Sequence, residues 1–174
     1  SAECLAEALV GFEDADVAFT AHSIPAAMSR ECDYAAQLTE AGRLVAEACG
    51  VDPGRWQMVY QSRSGPPNHP WLEPDICDRI GELKDEGYKA VTVIPIGFIS
   101  DHMEVLFDLD TEAVEKAQEC GLEMARVETV GIHPKFVSMI GELIRERVGL
   151  QEERRAMGAF GPSYDVCPPN CCLY

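Results

Sequence analysis

His22 leaves an apolar run, residues 17–21, at its carboxyl end, within Phe19-Thr20-Ala21-His22-Ser23-Ile24-Pro25. An imidazole there can act as a base or a metal ligand near neutral pH; taken alone, such a histidine is more often simply hydrogen-bonded. A second group, Ser100-Asp101-His102-Met103-Glu104, stands where the apolar residues 90–96 give way to a helical pattern. The positive end of a helix dipole favours carboxylates, so Asp101 reads as a helix cap. A cap leaves the next row unexplained: Glu104, Asp108, Glu112, Glu115 and Glu119 recur at intervals of four, four, three and four. That spacing puts five carboxylates on one helix face, at a cost of ~0.2–0.5 kcal/mol per like-charged pair. Two readings are open, a solvated acidic face and a path that hands a divalent cation inward. A third group, Ser62-Arg63-Ser64-Gly65, follows the apolar residues 56–61, and a fourth, Cys167-Pro168-Pro169-Asn170-Cys171-Cys172, crowds three thiols together.

The elements that must hold these groups alternate between strand and helix patterns. Residues 3–10 read as a short helix and 17–21 as a strand. Tyr34, Leu38, Ala41, Val45 and Ala48 recur at helical spacing, with Gly50 as a stop. Residues 56–61 form a second strand, and 62–74 a Ser-, Gly- and Pro-rich loop. Pro74 is placed to open a helix, whose first turn tolerates a missing N–H. Ile76, Ile80 and Leu83 then form an apolar stripe that Gly87 ends. The unbroken apolar run 90–96 fits a central strand covered on both faces. A long helix over residues 101–119, a weaker strand over 122–127 and an amphipathic helix over 134–148 follow. Such alternation predicts an α/β fold, a four-stranded parallel sheet flanked by helices on both faces in a Rossmann-like three-layer domain. The domain spans residues 1–150, and residues 151–174 form a polar tail with a cysteine-rich end. Sheets of this kind bind ligands beyond the carboxyl ends of their strands, where His22, Ser62 and Asp101-His102 all fall. No G-x-G-x-x-G or P-loop string is present, which argues against a dinucleotide or nucleoside triphosphate site.

Composition narrows the partners. The 174 residues hold 30 acids against 14 bases, a formal net charge of -16. That balance repels nucleic acid and anionic membrane surfaces and attracts cations. No apolar run approaches the ~20 residues of a membrane crossing, and the first residues lack a basic and apolar export signal. A cytoplasmic location is therefore expected, with reduced thiols. Cys4, Cys32, Cys49, Cys77 and Cys120 are scattered on helical patterns, where a thiol is usually a small buried hydrophobe.

Four strings, in order and spacing, resemble the ferrochelatases. They are residues 19–25, Tyr60-Gln61-Ser62-Arg63-Ser64-Gly65-Pro66-Pro67, Trp71-Leu72-Glu73-Pro74-Asp75, and residues 95–110, which are similar to the family signature. The resemblance runs from about Asp16 to Val148. It implies a chelatase-like fold and the insertion of ferrous iron into a porphyrin in haem biosynthesis. The actinobacterial form of the motifs implies coproporphyrin III. On the same resemblance His22 and Glu104 face each other across a porphyrin cleft, bind iron and remove the pyrrole protons. Asp108 and Glu112 extend the metal path outward, Trp71 lies beside the macrocycle, and Ser62, Arg63 and His102 stand at the cleft rim. Fe²⁺ is then substrate. Oxygen and nitrogen ligands can replace its water stepwise, and a base within hydrogen-bond reach can take each pyrrole proton.

The chain is only about half as long as a ferrochelatase. It is expected to lack the N-terminal domain that completes the cleft, and so to fold alone but chelate slowly or not at all. The family also implies a [2Fe–2S] cluster, with Cys167, Cys171 and Cys172 as three of the four usual thiolates and the fourth in the absent half. The alternative for these cysteines is a tail with reactive thiols. Two other functions compete: a cobalt or nickel tetrapyrrole chelatase working as a homodimer, and a non-catalytic module that binds metal or haem.

Overall fold

The computed structural model describes residues 2–12, 14–167 and 169. Four parallel strands form one sheet in the order β2-β1-β3-β4. They are β1 (Asp16–His22), β2 (Trp56–Gln61), β3 (Ala90–Ile94) and β4 (Glu123–Arg126). The helices are α1 (Ala2–Ala8), α2 (Ala26–Ser29), α3 (Tyr34–Ala48), α4 (Ile76–Glu86), α5 (Met103–Phe107), α6 (Val114–Cys120) and α7 (Pro134–Arg147). This is the α/β sheet expected from the alternation of patterns. β1 is the central strand, buried from Asp16 through Ala21, and its side chains feed both faces. Val17, Phe19 and Ala21 pack with Leu5 of α1 and Ala46 of α3. Ala18 packs on the other face with Val59, Val91, Val93, Ile80 and Leu109. No helix is long and apolar enough to cross a membrane among the described residues.

The segment expected as one helix over 101–119 is three pieces. Between α5 and α6, Asp108–Ala113 winds as a π-helix, a wider i→i+5 turn that is frequent at functional sites. Residue periodicity alone does not distinguish that turn from an α-turn, so the break lay outside the reach of the pattern. The helix start also differs. His102, not Asp101, is the N-cap of α5, because Asp101 is drawn to a cation on β4. Pro74 does not open α4 either; Asp75 caps it, its carboxylate accepting the Cys77 N–H at 2.8 Å.

Two features hold the frame. The turn after β3 crosses β1 so closely that a Cβ on Gly97 would lie 2.5 Å from the Ala21 Cβ. At the other end of β1, the Arg79 guanidinium of α4 donates to Asp16 Oδ1 at 3.2 Å and to Glu86 Oε1 at 2.8 Å. Burial pushes the Asp16 carboxyl up, against the pull of Arg79. α7 stands apart, with no buried residue, and exposes Val137, Ile140, Leu143 and Ile144. Beyond it the chain is irregular, and the Ala159 N–H donates to Glu40 Oε1 at 2.9 Å, laying this segment on α3.

Replacing Arg79 by Met strands the Asp16 carboxylate, and breaking such a buried pair usually costs about 3–5 kcal/mol. Urea unfolding of Arg79→Met is expected to show a loss near the lower end, since Asp16 can take up a proton. The Asp16→Asn/Arg79→Met double variant should recover part of that loss.

Candidate active site at the carboxyl ends of the central strands

The strand order makes β1 and β3 neighbours whose following connections diverge, the switch point where open α/β sheets bind ligands. His22 is the last residue of β1, and Glu104 sits in the first turn of the helix after β3. His22 Nε2 and Glu104 Oε1 are 3.3 Å apart, with side chains 40% and 47% exposed. The other ring nitrogen faces the Ser23 carbonyl oxygen. A carbonyl can only accept, so Nδ1 carries a proton and donates it there. In the neutral ring Nε2 then presents a lone pair to the carboxylate. Two electron-pair donors at this distance repel unless a proton or a metal cation lies between them.

Backbone bonds fix the imidazole. The Tyr34 hydroxyl donates to the His22 carbonyl at 3.0 Å, and the Ser23 N–H donates to the Gln61 carbonyl at 2.8 Å. Ser23 Oγ donates to the Leu72 carbonyl at 2.9 Å. Trp71 bridges to Pro25, which brings the indole beside the loop that follows His22. Gly65 packs so closely on that indole that a Cβ would fall 2.2 Å from Nε1.

Asp108, half-buried at the start of the π segment, is held from the end of β2. Gln61 Nε2 donates to its Oδ2 at 3.1 Å, and the Ser62 hydroxyl donates to the same oxygen. Ser62 adopts φ 62°, a left-handed backbone that non-glycine residues enter at some cost. Glu112 lies further out. Partial desolvation raises its pKa, and Asp108, Asp75 and Glu115 raise it further. Asp75 is raised by burial first, then by Asp78 and Asp108. Cys77, beside them, is pushed up to about 12 by burial and by Asp75 and Glu112, so its thiol stays neutral. Among the described residues no three of His, Cys, Asp and Glu close into a compact metal cage. The arrangement is an open file of carboxylates leading to the His22–Glu104 pair.

The other candidates divide. His102 caps α5 through Nδ1, which accepts the Val105 N–H at 3.4 Å, and its ring meets Phe98 edge-on at 5.5 Å. Arg63 is spent inside its own loop, donating to the Pro67 and His69 carbonyls at 3.3 and 3.1 Å. Asp101 lies off the acidic file; Arg126 Nη1 is 2.7 Å from it and Thr129 Oγ1 2.9 Å. Those bonds outweigh partial burial and hold its pKa low. Gln61 and Asp75 join the site without having been singled out, because a buried polar group at a strand end leaves no mark in a sequence pattern. The same holds for an apolar lip of exposed Ile99, Met103 and Phe107.

Cys167 is exposed and lines an open cavity of about 650 Å³ with Cys32, Arg30, Tyr34 and Gln37. Cys32 is therefore a surface thiol rather than a buried hydrophobe, because α2 ends at Ser29, ahead of it, and α3 starts after it. Cys171 and Cys172 lie outside the described residues.

A family model described as ferrochelatase matches residues 1–148. A ferrochelatase of Rhodopirellula baltica is 56% identical over 160 residues, 91% of this chain and 45% of that protein. A coproporphyrin III ferrochelatase of Streptomyces griseus is 46% identical, covering 91% of this chain and 47% of its own length. One from Leifsonia xyli is 54% identical over 80% of this chain and 36% of its own. The chain thus spans about half the length of the curated relatives it matches. A crystal structure titled as a putative cobalamin (vitamin B12) biosynthesis CbiX protein from Marinobacter aquaeolei superposes with a TM-score of 0.50 at 17% identity. That superposition covers 78% of this chain and 98% of the other, a likeness of fold.

Asp75→Asn keeps a capping side chain and removes one charge from the crowd. The folded-state pKa of Asp75 is raised, so its contribution is fully present below the unfolded value, about 3.9, and is lost as pH rises through the folded value. The variant is expected to unfold at a higher temperature than the parent at pH 7, its stability increased by about 0.2–0.5 kcal/mol per like-charged neighbour relieved. The difference should vanish below pH ~3.9. A lower midpoint at pH 7 would mean that the carboxylate serves only as a cap.

Proposed function

The chain belongs to the ferrochelatase family, and on that premise we propose that ferrous iron enters a porphyrin at the His22–Glu104 pair. The porphyrin we favour is coproporphyrin III, the tetrapyrrole in the names of most of the similar relatives. One observation carries the reading: Nε2 of His22, its partner nitrogen committed to Ser23, faces the Glu104 carboxylate at 3.3 Å. Each group is a ligand for Fe²⁺ and a base for a pyrrole N–H. Insertion exchanges two pyrrole protons for one dication. As the macrocycle nitrogens take the metal, one proton goes to Nε2 and one to Oε1, and both groups are open enough to pass them to water. Glu112 and Asp108 precede them as oxygen ligands that strip water from the ion in turn. Asp108 is oriented by Gln61 and Ser62. Trp71, Met103 and Phe107 offer apolar surface to the flat ring, with Ser62, Arg63 and His102 at the rim.

The opposite wall of such a cleft is absent from this lobe. We read α7, with its apolar face in solvent, together with the greater length of the relatives, as support for a second lobe that closes over the pair. The chain alone is then expected to metallate coproporphyrin III slowly. Adding the remaining half of the Rhodopirellula baltica relative should accelerate it. In that pairing His22→Ala or Glu104→Gln should lower the rate about 10²–10⁴-fold, the usual worth of a positioned acid–base group. Parental rates in both variants would refute the assignment.

The reading extends to a [2Fe–2S] cluster at the cysteine end. The donor chemistry suits it: Cys167 is an exposed thiol on an open cavity, followed in sequence by Cys171 and Cys172. These three would hold the cluster, with a fourth thiolate on the second lobe, and the cluster would supply a redox-sensitive clamp between the two. Protein purified without oxygen together with its second lobe is expected to show charge-transfer absorption in the visible, reduced in Cys167→Ser. A colourless, iron-free protein would count against the cluster.

A further inference from the structure

Beneath the insertion pair two buried polar atoms have no partner. Gln61 is 1% exposed, and while Nε2 donates to Asp108, its Oε1 bonds to nothing. Exchanging the two ends of the amide does not help, since an oxygen would then face the Asp108 carboxylate. Thr20, 0% exposed, also leaves its Oγ1 unbonded. The register aligns Thr20 with Val59 and His22 with Gln61. Alternate residues of a strand share a face, and Val59 packs under α4 and the α5–α6 helix. Thr20, His22 and Gln61 therefore all point into the layer that carries Glu104 and Asp108. A buried donor or acceptor left unmet costs about 1–3 kcal/mol, and native proteins meet that need with ordered water where side chains do not.

We propose that Thr20 and Gln61 bind one buried water molecule beneath Asp108, making Gln61 a positioning residue that keeps the Asp108 carboxylate aimed along the cation path. The water donates to Gln61 Oε1 and exchanges a hydrogen bond with the Thr20 hydroxyl. That contact locks the amide with its NH₂ toward Asp108. The inference rests on the reading of Asp108 as a station on the way to His22 and Glu104. Gln61 acts through Asp108 and does not touch the ion.

The test uses Co²⁺ alone, titrated calorimetrically and by its visible absorption into the chain. Gln61→Met is expected to weaken Co²⁺ binding about five- to tenfold, the worth of about one ordinary hydrogen bond, and to change the visible band. In Asp108→Asn the same Gln61→Met change should have no further effect. Thr20→Val decides whether the water is there. If it is, losing the hydroxyl lowers the unfolding midpoint and weakens Co²⁺ binding about two- to threefold. If the hydroxyl is an orphan, the valine raises the midpoint and leaves binding alone, which overturns the proposal. His22→Ala and Asp108→Asn separate the two levels. Should neither alter Co²⁺ affinity, the reading of the site falls and takes this inference with it. Should both lower it while Gln61→Met does not, only the role given to Gln61 falls.

Discussion

Everything at the active end depends on which nitrogen of His22 holds the proton. The Ser23 carbonyl claims Nδ1–H, and the lone pair of Nε2 is left facing an anion across 3.3 Å. The sheet fixes this contact, which a proton or a cation at Nε2 turns into an attraction. β1 and β3 are adjacent, the Gly97 turn presses on β1, and the carboxylate arrives at a fixed height on the first turn of α5. A ring nitrogen and a carboxylate held at this distance attract a proton or a dication that enters between them.

The rest of the electrostatics grades that attraction. Asp101 stands next to the acidic row in sequence, yet its carboxylate is turned to the Arg126 guanidinium and the Thr129 hydroxyl. Asp108 is anchored by two donors from the end of β2 and is ready to take a ligand without rearranging. Asp75 is held as the cap of α4 by the Cys77 N–H, while the pKa of Glu112 is raised by partial desolvation and then by Asp108, Asp75 and Glu115. Order thus increases from Glu112 to Asp108, whose carboxylate two donors hold.

Groups whose cause is local were legible in the sequence. His22 ends a run of buried residues, and Glu104 starts a helix after an unbroken apolar strand; one dimension suffices for both. The order of the four strands and the main helices followed from the same periodicities, while the short helix α2 and the division of the 101–119 segment did not. What escaped depends on distant partners. Asp101 was read as a cap because Arg126, 25 residues away, has no place in a local pattern. The π turn escaped because a side-chain period of four fits α and π winding alike. Gln61 was passed over because its burial, and not its type, gives it a role.

The openness of the pair shows what this lobe can and cannot do by itself. Unit charges about 4 Å apart interact by about 1 kcal/mol in water but about 4 kcal/mol at the effective dielectric of a protein boundary. With His22 and Glu104 nearly half exposed, the pair works near the weaker limit, where an ion loads and leaves freely. Taking two pyrrole protons and holding a ring distorted need the stronger limit, which comes from excluding water. The apolar residues Met103 and Phe107, on the same short helix as Glu104, are exposed. Surface of that kind next to a charged site gains only when something covers it, and a flat aromatic macrocycle covered in turn by a second wall does so. On the proposed function, a wall over the pair would act mainly by lowering the dielectric around His22 and Glu104.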